Sequence, residues 1–215
     1  MKLRTFVFNP VEENTYLLYD DTKECVIIDP GCYSPAEQAQ LKEFIQEKEL
    51  TVKHILNTHL HFDHCFGINF VSKTYNVGLQ AHKGDEEFLH RLPEQAARFG
   101  FHVNEENPTI SQYINEGDEI SFGEQTLRAI HVPGHSPGSI VFYSEEYGCL
   151  FVGDVLFQQS IGRTDLPGGD YDTLINGIKA KLYTLPDETK VFPGHGPDTT
   201  IGFEKRNNFY VKGNI

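Results

Sequence analysis

Short bursts of apolar and polar residues follow one another along the first third of the chain. "LRTFVF", "NTYLLYD" and "CVIID" are each rich in β-branched or aromatic side chains, and Asn/Pro/Glu and Asp/Asp/Thr clusters separate them. That pattern predicts three short strands, the third closed by "DPG" at 29–31. A helix follows with a legible start: Ser34 at the N-cap, Pro35 in the first turn and Glu37 three residues after the cap form a capping box, while Leu41, Phe44 and Ile45 supply an apolar face. "TVKHILNT" (51–58) alternates like a strand and delivers the chain into His59. A second helix is expected from about His64 through Phe66, Phe70 and Val71, then the strand "VGLQAH", then a helical stretch over 83–100 broken by Pro93. After a polar connection come the strands "TLRAIHV", "SIVFYS" and "CLFVG", a Gly/Pro-rich loop, a helix over about 171–184 and the strand "TKVFPG". Strands and helices thus alternate in two similar halves, the pattern of an α/β layered domain.

Composition narrows the classes. A chain of 215 residues, 39% hydrophobic and 23% charged, with no compositional break, is read as one domain over 1–215. The net charge of −13 has no Lys/Arg cluster within it, which argues against a nucleic-acid partner. No apolar run approaches a membrane span, and the run after Lys2 and Arg4 is broken by Asn9, Pro10, Glu12 and Glu13 before a secretory core could form, so a cytoplasmic protein is expected. Cys25, Cys32, Cys65 and Cys149 have no CxxC spacing and lie in or beside apolar segments, consistent with reduced thiols.

The chemistry concentrates in "NTHLHFDHCFG" (57–67), where three imidazoles and a carboxylate fall within six residues after a strand. Divalent metals favour such ligands on backbone that is already fixed. The same address, the turn after a strand, is occupied by His135 in "HVPGHSPG", Asp154 in "FVGDVLF" and His195 in "VFPGHGP". With His59, His61, Asp63 and His64 these make seven candidate ligands, too many for one tetrahedral ion and suited to two ions sharing a carboxylate and a hydroxide. His54, His82, His90, His102 and His131 are assigned to core, surface or supporting positions.

"THLHFDH", "PGHSPG", "GD" at 153–154 and "PGHG", in that order, resemble the metallo-β-lactamase superfamily and its T-H-x-H-x-D-H signature. The resemblance implies an αββα sandwich with a binuclear site at the edge where two sheets meet. Carried onto this chain, it gives His59, His61 and His135 to one metal, Asp63, His64 and His195 to the other, and Asp154 as the bridge. The expected ions are two divalent metals, zinc first, with iron or manganese as alternatives. Such a pair lowers the pKa of a shared water from about 15.7 to around 7, so no Ser or Cys nucleophile is needed, and Asp63 is placed to orient the attacking hydroxide.

Within the superfamily, "NTYLLYD", "VIIDPG", "GDVLFQQSIGRTDLPGGDYDTL" and "TTIGFEKRNN" resemble short-form members of the glyoxalase II (hydroxyacylglutathione hydrolase) branch. That implies a small-molecule thioester substrate such as S-lactoylglutathione, a monomer or small homo-oligomer, and Arg163 as a contact for the substrate carboxylate; pairing of Arg163 with Asp165 or Asp170 is the competing role. The long enzymes carry much of their glutathione contact on a helical segment after the last metal histidine and a Tyr two positions beyond it. Here only Gly196 to Thr200 intervene before "TIGFEK", and Pro197 stands at the Tyr position, so a more open site is expected. Two other activities stay on the table. Persulfide dioxygenases share the fold and "GRTD", and would use one iron on His59, His135 and Asp154; a lactone hydrolase would use the same hydroxide. True β-lactamases commonly carry Cys where this chain has Asp154, which counts against that activity.

Overall fold

The computed structural model describes residues 1–103 and 106–212. Strands β1 (Lys2–Phe8), β2 (Glu13–Tyr19) and β3 (Glu24–Ile28) run as an antiparallel meander, and helix α1 (Pro35–Glu47) crosses to β4 (Thr51–Leu56), which pairs parallel with β3. Helix α2 (Ile68–Tyr75), strand β5 (Leu79–Ala81), helices α3 (Glu86–His90) and α4 (Leu92–Arg98) and strand β6 (Ile110–Tyr113) complete a six-stranded sheet in the order β1-β2-β3-β4-β5-β6.

The second half contributes β7 (Glu119–Phe122), β8 (Gln125–His131), β9 (Ile140–Ser144), β10 (Cys149–Gly153), a small hairpin of β11 (Leu156–Phe157) and β12 (Ser160–Ile161), helix α5 (Tyr171–Gly177) running on as one π-helical turn through Leu182, β13 (Lys190–Pro193), β14 (Thr199–Thr200), and helices α6 (Ile201–Asn207) and α7 (Phe209–Lys212). Its sheet is ordered β14-β13-β10-β9-β8-β7.

The central strands β2, β3, β9 and β10 read as nearly unbroken apolar runs because both faces are buried. On β2 and β3, Leu17, Cys25 and Ile27 pack outward with Leu41 and Ile45 of α1, whereas Tyr16, Leu18, Val26 and Ile28 point inward to Phe122, Leu127, Phe142 and Phe151 of the second sheet. On β9 and β10 the outward set is Val141, Tyr143, Leu150 and Val152, covered by Leu174 and Ile178. Helices, sheet, sheet, helices: the expected αββα sandwich in two halves is what the chain forms. Each such aliphatic or aromatic side chain, fully removed from water, contributes on the order of 1.5–3 kcal/mol before chain entropy is counted.

Three elements differ from the sequence reading. The helix expected from His64 begins instead at Ile68, after a 3₁₀ turn over Phe62–His64. Gly67 marks the junction: its N–H donates to Pro30 O (2.7 Å), and a Cβ there would lie 2.3 Å from Cys32 Sγ, so the chain is pinned against "DPGC" before it can coil. The helical stretch over 83–100 is interrupted as expected, but at Arg91 between α3 and α4, with Pro93 in the first turn of the second helix. The polar connection contains β6 and β7; β6 is largely exposed, which removes the alternation that would announce it.

Candidate metal centre

Each of the seven candidate residues follows the C-terminal end of a strand, and the sandwich brings those ends to one edge. His59, His61, Asp63 and His64 lie just beyond β4 of the first sheet; His135, Asp154 and His195 lie beyond β8, β10 and β13 of the second. His59, His61 and His135 place one nitrogen each within 4.8 Å of the others, and so do the ligand atoms of Asp63, His64 and His195.

Hydrogen bonds fix which nitrogens face inward. His135 Nδ1 donates to Arg163 O (2.8 Å), a group that can only accept, so Nε2 carries the lone pair. Thr58 Oγ1 donates its proton to Asp29 Oδ2 (2.6 Å) and therefore accepts from His59 Nδ1 (3.1 Å). The two Nε2 lone pairs then face each other across 3.2 Å, with His61 Nδ1 at 2.9 Å from His135 Nε2. Such an arrangement repels itself unless a positive charge sits among the three rings. Burial first, and then the neighbouring imidazoles, push His61 down to about 3 and His59 well below the usual histidine value, which keeps both rings neutral and able to ligate.

The second triad tells a similar story. His195 Nδ1 donates to Val11 O and Glu12 O (3.1 and 3.2 Å), leaving Nε2 aimed at Asp63 Oδ2, 3.1 Å away. His64 is fully buried; Nδ1 lies 3.1 Å from Asp29 Oδ2 and Nε2 3.5 Å from Asp154 Oδ1, yet neither nitrogen makes a hydrogen bond, and nor does Asp154 Oδ1. Orphaned buried lone pairs such as those of His64 Nε2 and Asp154 Oδ1 are costly in a protein interior, and a cation relieves them. Asp154 Oδ2 is 3.7 Å from His135 Nε2 and 3.8 Å from His195 Nε2, so one carboxylate oxygen faces both triads. Burial opposes ionisation of Asp154, but the imidazoles around it, His64 foremost, hold it well below the usual carboxylate range. The donor set therefore fits two divalent ions.

Supporting groups that sequence reading passed over hold the loops in place. Asp85 accepts from Leu60 N (3.1 Å), Ser136 Oγ (2.7 Å) and Gly138 N (2.6 Å), tying the His59–His64 loop to the loop of His135. Asn57 Nδ2 donates to His64 O and Asn9 Nδ2 to Asp63 O (2.8 and 3.0 Å), while Asn14 Nδ2 donates to Pro193 O and Gly196 O on either side of His195 (3.0 and 2.9 Å). Gly194 is required by space, because a Cβ there would lie 2.3 Å from Asp154 Oδ1. Asp29 and Asp85 lie at or just beyond strand ends, so the rule that found the seven candidates, an ionisable side chain after a strand, would have found these two had it been applied to every Asp.

The histidines assigned elsewhere stay elsewhere. His82 and His131 stack on each other (4.2 Å between ring centroids, 21°), and His131 Nε2 donates to Pro137 O. The centre opens into a cavity of about 280 Å³. Val11, Phe62, Phe88, Phe99, Leu166 and Pro167 form its apolar walls, His61, Asp63, His135, Asp154 and His195 its reactive face, and Arg91, Glu94, Gln95, Arg98 and Arg163 the remaining polar lining. Arg163 reaches this cavity, with two of its nitrogens engaged by Asp165 at 2.8 Å each.

Known proteins agree with this architecture. The Metallo-beta-lactamase superfamily model matches residues 9–195. The chain is 38% identical to hydroxyacylglutathione hydrolase GloC of Haemophilus influenzae over 98% of both chains. The solved BLEG-1 B3 metallo-beta-lactamase is 36% identical with a TM-score of 0.88, covering 99% of this chain and 100% of its own. The structure of TTHA1623 in a di-iron-bound form is 35% identical with a TM-score of 0.86, covering 96% of this chain and 99% of its own. Sequence, fold and the edge where the seven side chains meet lead to one conclusion: the chain belongs to the metallo-beta-lactamase superfamily, whose members bind divalent metals.

Proposed function

We propose that the protein is a thioesterase of the hydroxyacylglutathione hydrolase type, holding one divalent ion on His59, His61 and His135, a second on Asp63, His64 and His195, and sharing Asp154 between them. The observation that carries this is the position of Asp154 Oδ2 between two triads on a cavity that no Ser, Thr, Cys, Tyr or Lys among the described residues lines. A nucleophile must then be water, and ions bound at the triads would supply it by lowering its pKa toward 7 and would polarise the acyl carbonyl. Zinc suits this imidazole and carboxylate set, and the di-iron relative makes iron the alternative.

The chain's own residues do the rest. Asp63, held by His195 Nε2 and facing the cavity, accepts a hydrogen bond from the attacking water and orients it. The apolar walls exclude bulk water, and backbone clamps on both histidine loops keep the acceptors in place through the reaction. A thiolate leaves without protonation, whereas an amine needs an acid. The carboxylates on the cavity are Asp63 and Asp154, engaged with the imidazoles, and Glu94, engaged by Arg91, which favours a thioester.

The BLEG-1 relative supports a second reading, hydrolysis of a β-lactam. Metal content per chain, read beside turnover of S-lactoylglutathione and of a chromogenic cephalosporin, separates the two. About two ions per chain and thioester turnover are expected in the wild-type protein, and loss of both in Asp154→Ala with the fold retained by circular dichroism. Two ions still bound in Asp154→Ala would sink the bridging role; turnover of the cephalosporin alone would replace the substrate class.

A further inference from the structure

The cavity carries positive charge that hydrolysis itself does not use. Three of the chain's six arginines, Arg91, Arg98 and Arg163, line it, and no lysine does, in a protein of net charge −13. Two of the three are already matched. Arg91 holds Glu94 through Nε and Nη2 at 3.0 Å each, and Arg163 holds Asp165 through two bonds of 2.8 Å. Arg98 has no ion pair or hydrogen bond among the described residues.

We propose that Arg98, at the end of α4, is the specificity-determining residue of the cavity, taking a carboxylate on the thiol half of the substrate. The assignment rests on the thioesterase reading. Arg98 is exposed, whereas Asp63 is buried and Asp154 nearly so, and the reacting carbonyl must meet those two. A group on Arg98 is therefore at the far end of the bound molecule from the bond that breaks. Phe62, next to Asp63 in the chain, and Phe99, next to Arg98, both line the cavity and stack with centroids 4.7 Å apart, a wall suited to methylene groups. A guanidinium is built to receive a carboxylate through two parallel hydrogen bonds, and one unspent at a cavity mouth keeps that capacity. The competing role is a purely local one, a cation completing the C-terminal end of a helix, which requires no substrate charge.

The test compares wild type, Arg98→Ala and Arg98→Lys on three probes: S-lactoyl-6-mercaptohexanoate, its methyl ester, and the succinyl thioester of methyl 6-mercaptohexanoate, which moves the carboxylate to the acyl half. Arg98→Ala should raise KM for the first probe about tenfold, with kcat and metal content unchanged and the methyl ester unaffected, and Arg98→Lys should recover part of the loss. Equal KM changes on acid and ester, or none on either, would overturn the role; a change confined to the succinyl probe would overturn the placement on the thiol half. Should wild type carrying two ions turn over no probe, the thioesterase reading fails. The Arg98 site then stands or falls on calorimetric binding of 6-(methylthio)hexanoate, which Arg98→Ala should weaken and which an unchanged affinity would refute.

Discussion

Asp85 touches none of the seven proposed ligands, yet it fixes the backbone beside three of them. Leu60 N lies between His59 and His61, and Ser136 Oγ and Gly138 N flank the far side of His135, so one buried carboxylate sets the spacing of the three-histidine triad. Asp85→Ala should weaken zinc at that triad by about 10–100-fold, the usual effect of removing an outer partner, while the triad of Asp63, His64 and His195 keeps its ion. Competition with a chromophoric chelator would show two affinities splitting apart; a parallel fall at both would mean that Asp85 supports the fold as a whole. The seven side chains that converge were legible because imidazole and carboxylate at successive strand ends is a rare pattern. Asp85 also follows a strand, as many aspartates do; Asn57 and Asn9 were not legible, because a polar side chain that bonds backbone leaves no mark in spacing, and only the loop it closes reveals it.

At the scale of elements, the capping box of α1 reaches beyond its own helix. Ser34 Oγ accepts from Glu37 N (3.3 Å) and Glu37 returns to Ser34 N (2.7 Å), as the sequence predicts, but the same Glu37 carboxylate also accepts from Asn9 N (2.7 Å), and Asn9 in turn holds Asp63 O. Ser34→Ala removes the cap alone and should lower unfolding free energy by about 1 kcal/mol in denaturant titration, with metal content untouched. Glu37→Ala removes three bonds at once, from Tyr33 N, Ser34 N and Asn9 N, and should additionally loosen the triad of Asp63; if it matches Ser34→Ala in both readouts, the link through Asn9 carries no strain to the site. Helix α1 was readable because its signals are local. The start of α2 was not, since Gly67 is held by Pro30 and Cys32 from a distant turn, and β6 was hidden because an exposed edge strand has no buried face to give it a period.

Over the whole molecule, the seam between the two sheets has a pH-sensitive fastening at Asp20, remote from the metal centre. Its carboxylate closes β2 by accepting from Thr22 N and Oγ1, and reaches across to the turn between β7 and β8 by accepting from Glu124 N (2.7 Å) and Gln125 Nε2 (3.3 Å). Burial opposes its ionisation, but these donors outweigh burial and hold Asp20 below the usual carboxylate value. A carboxyl depressed in the folded state binds its proton more readily when unfolded. Its contribution is therefore fully present above the unfolded value, about 3.9, and is lost as pH falls through the lower folded value. Asp20→Asn presents an amide to donors and should lose about 1–3 kcal/mol at pH 7. The gap in Tm between wild type and Asp20→Asn should hold from pH 7 to about pH 5 and close below about pH 4. Taking the difference at each pH cancels whatever acid does to the metal centre or to the net charge of −13, because both proteins share those changes. A gap that stayed constant down to pH 3 would show that the two sheets are held at this seam by packing of Leu18, Phe122 and Leu127 alone, with the Asp20 carboxylate a bystander.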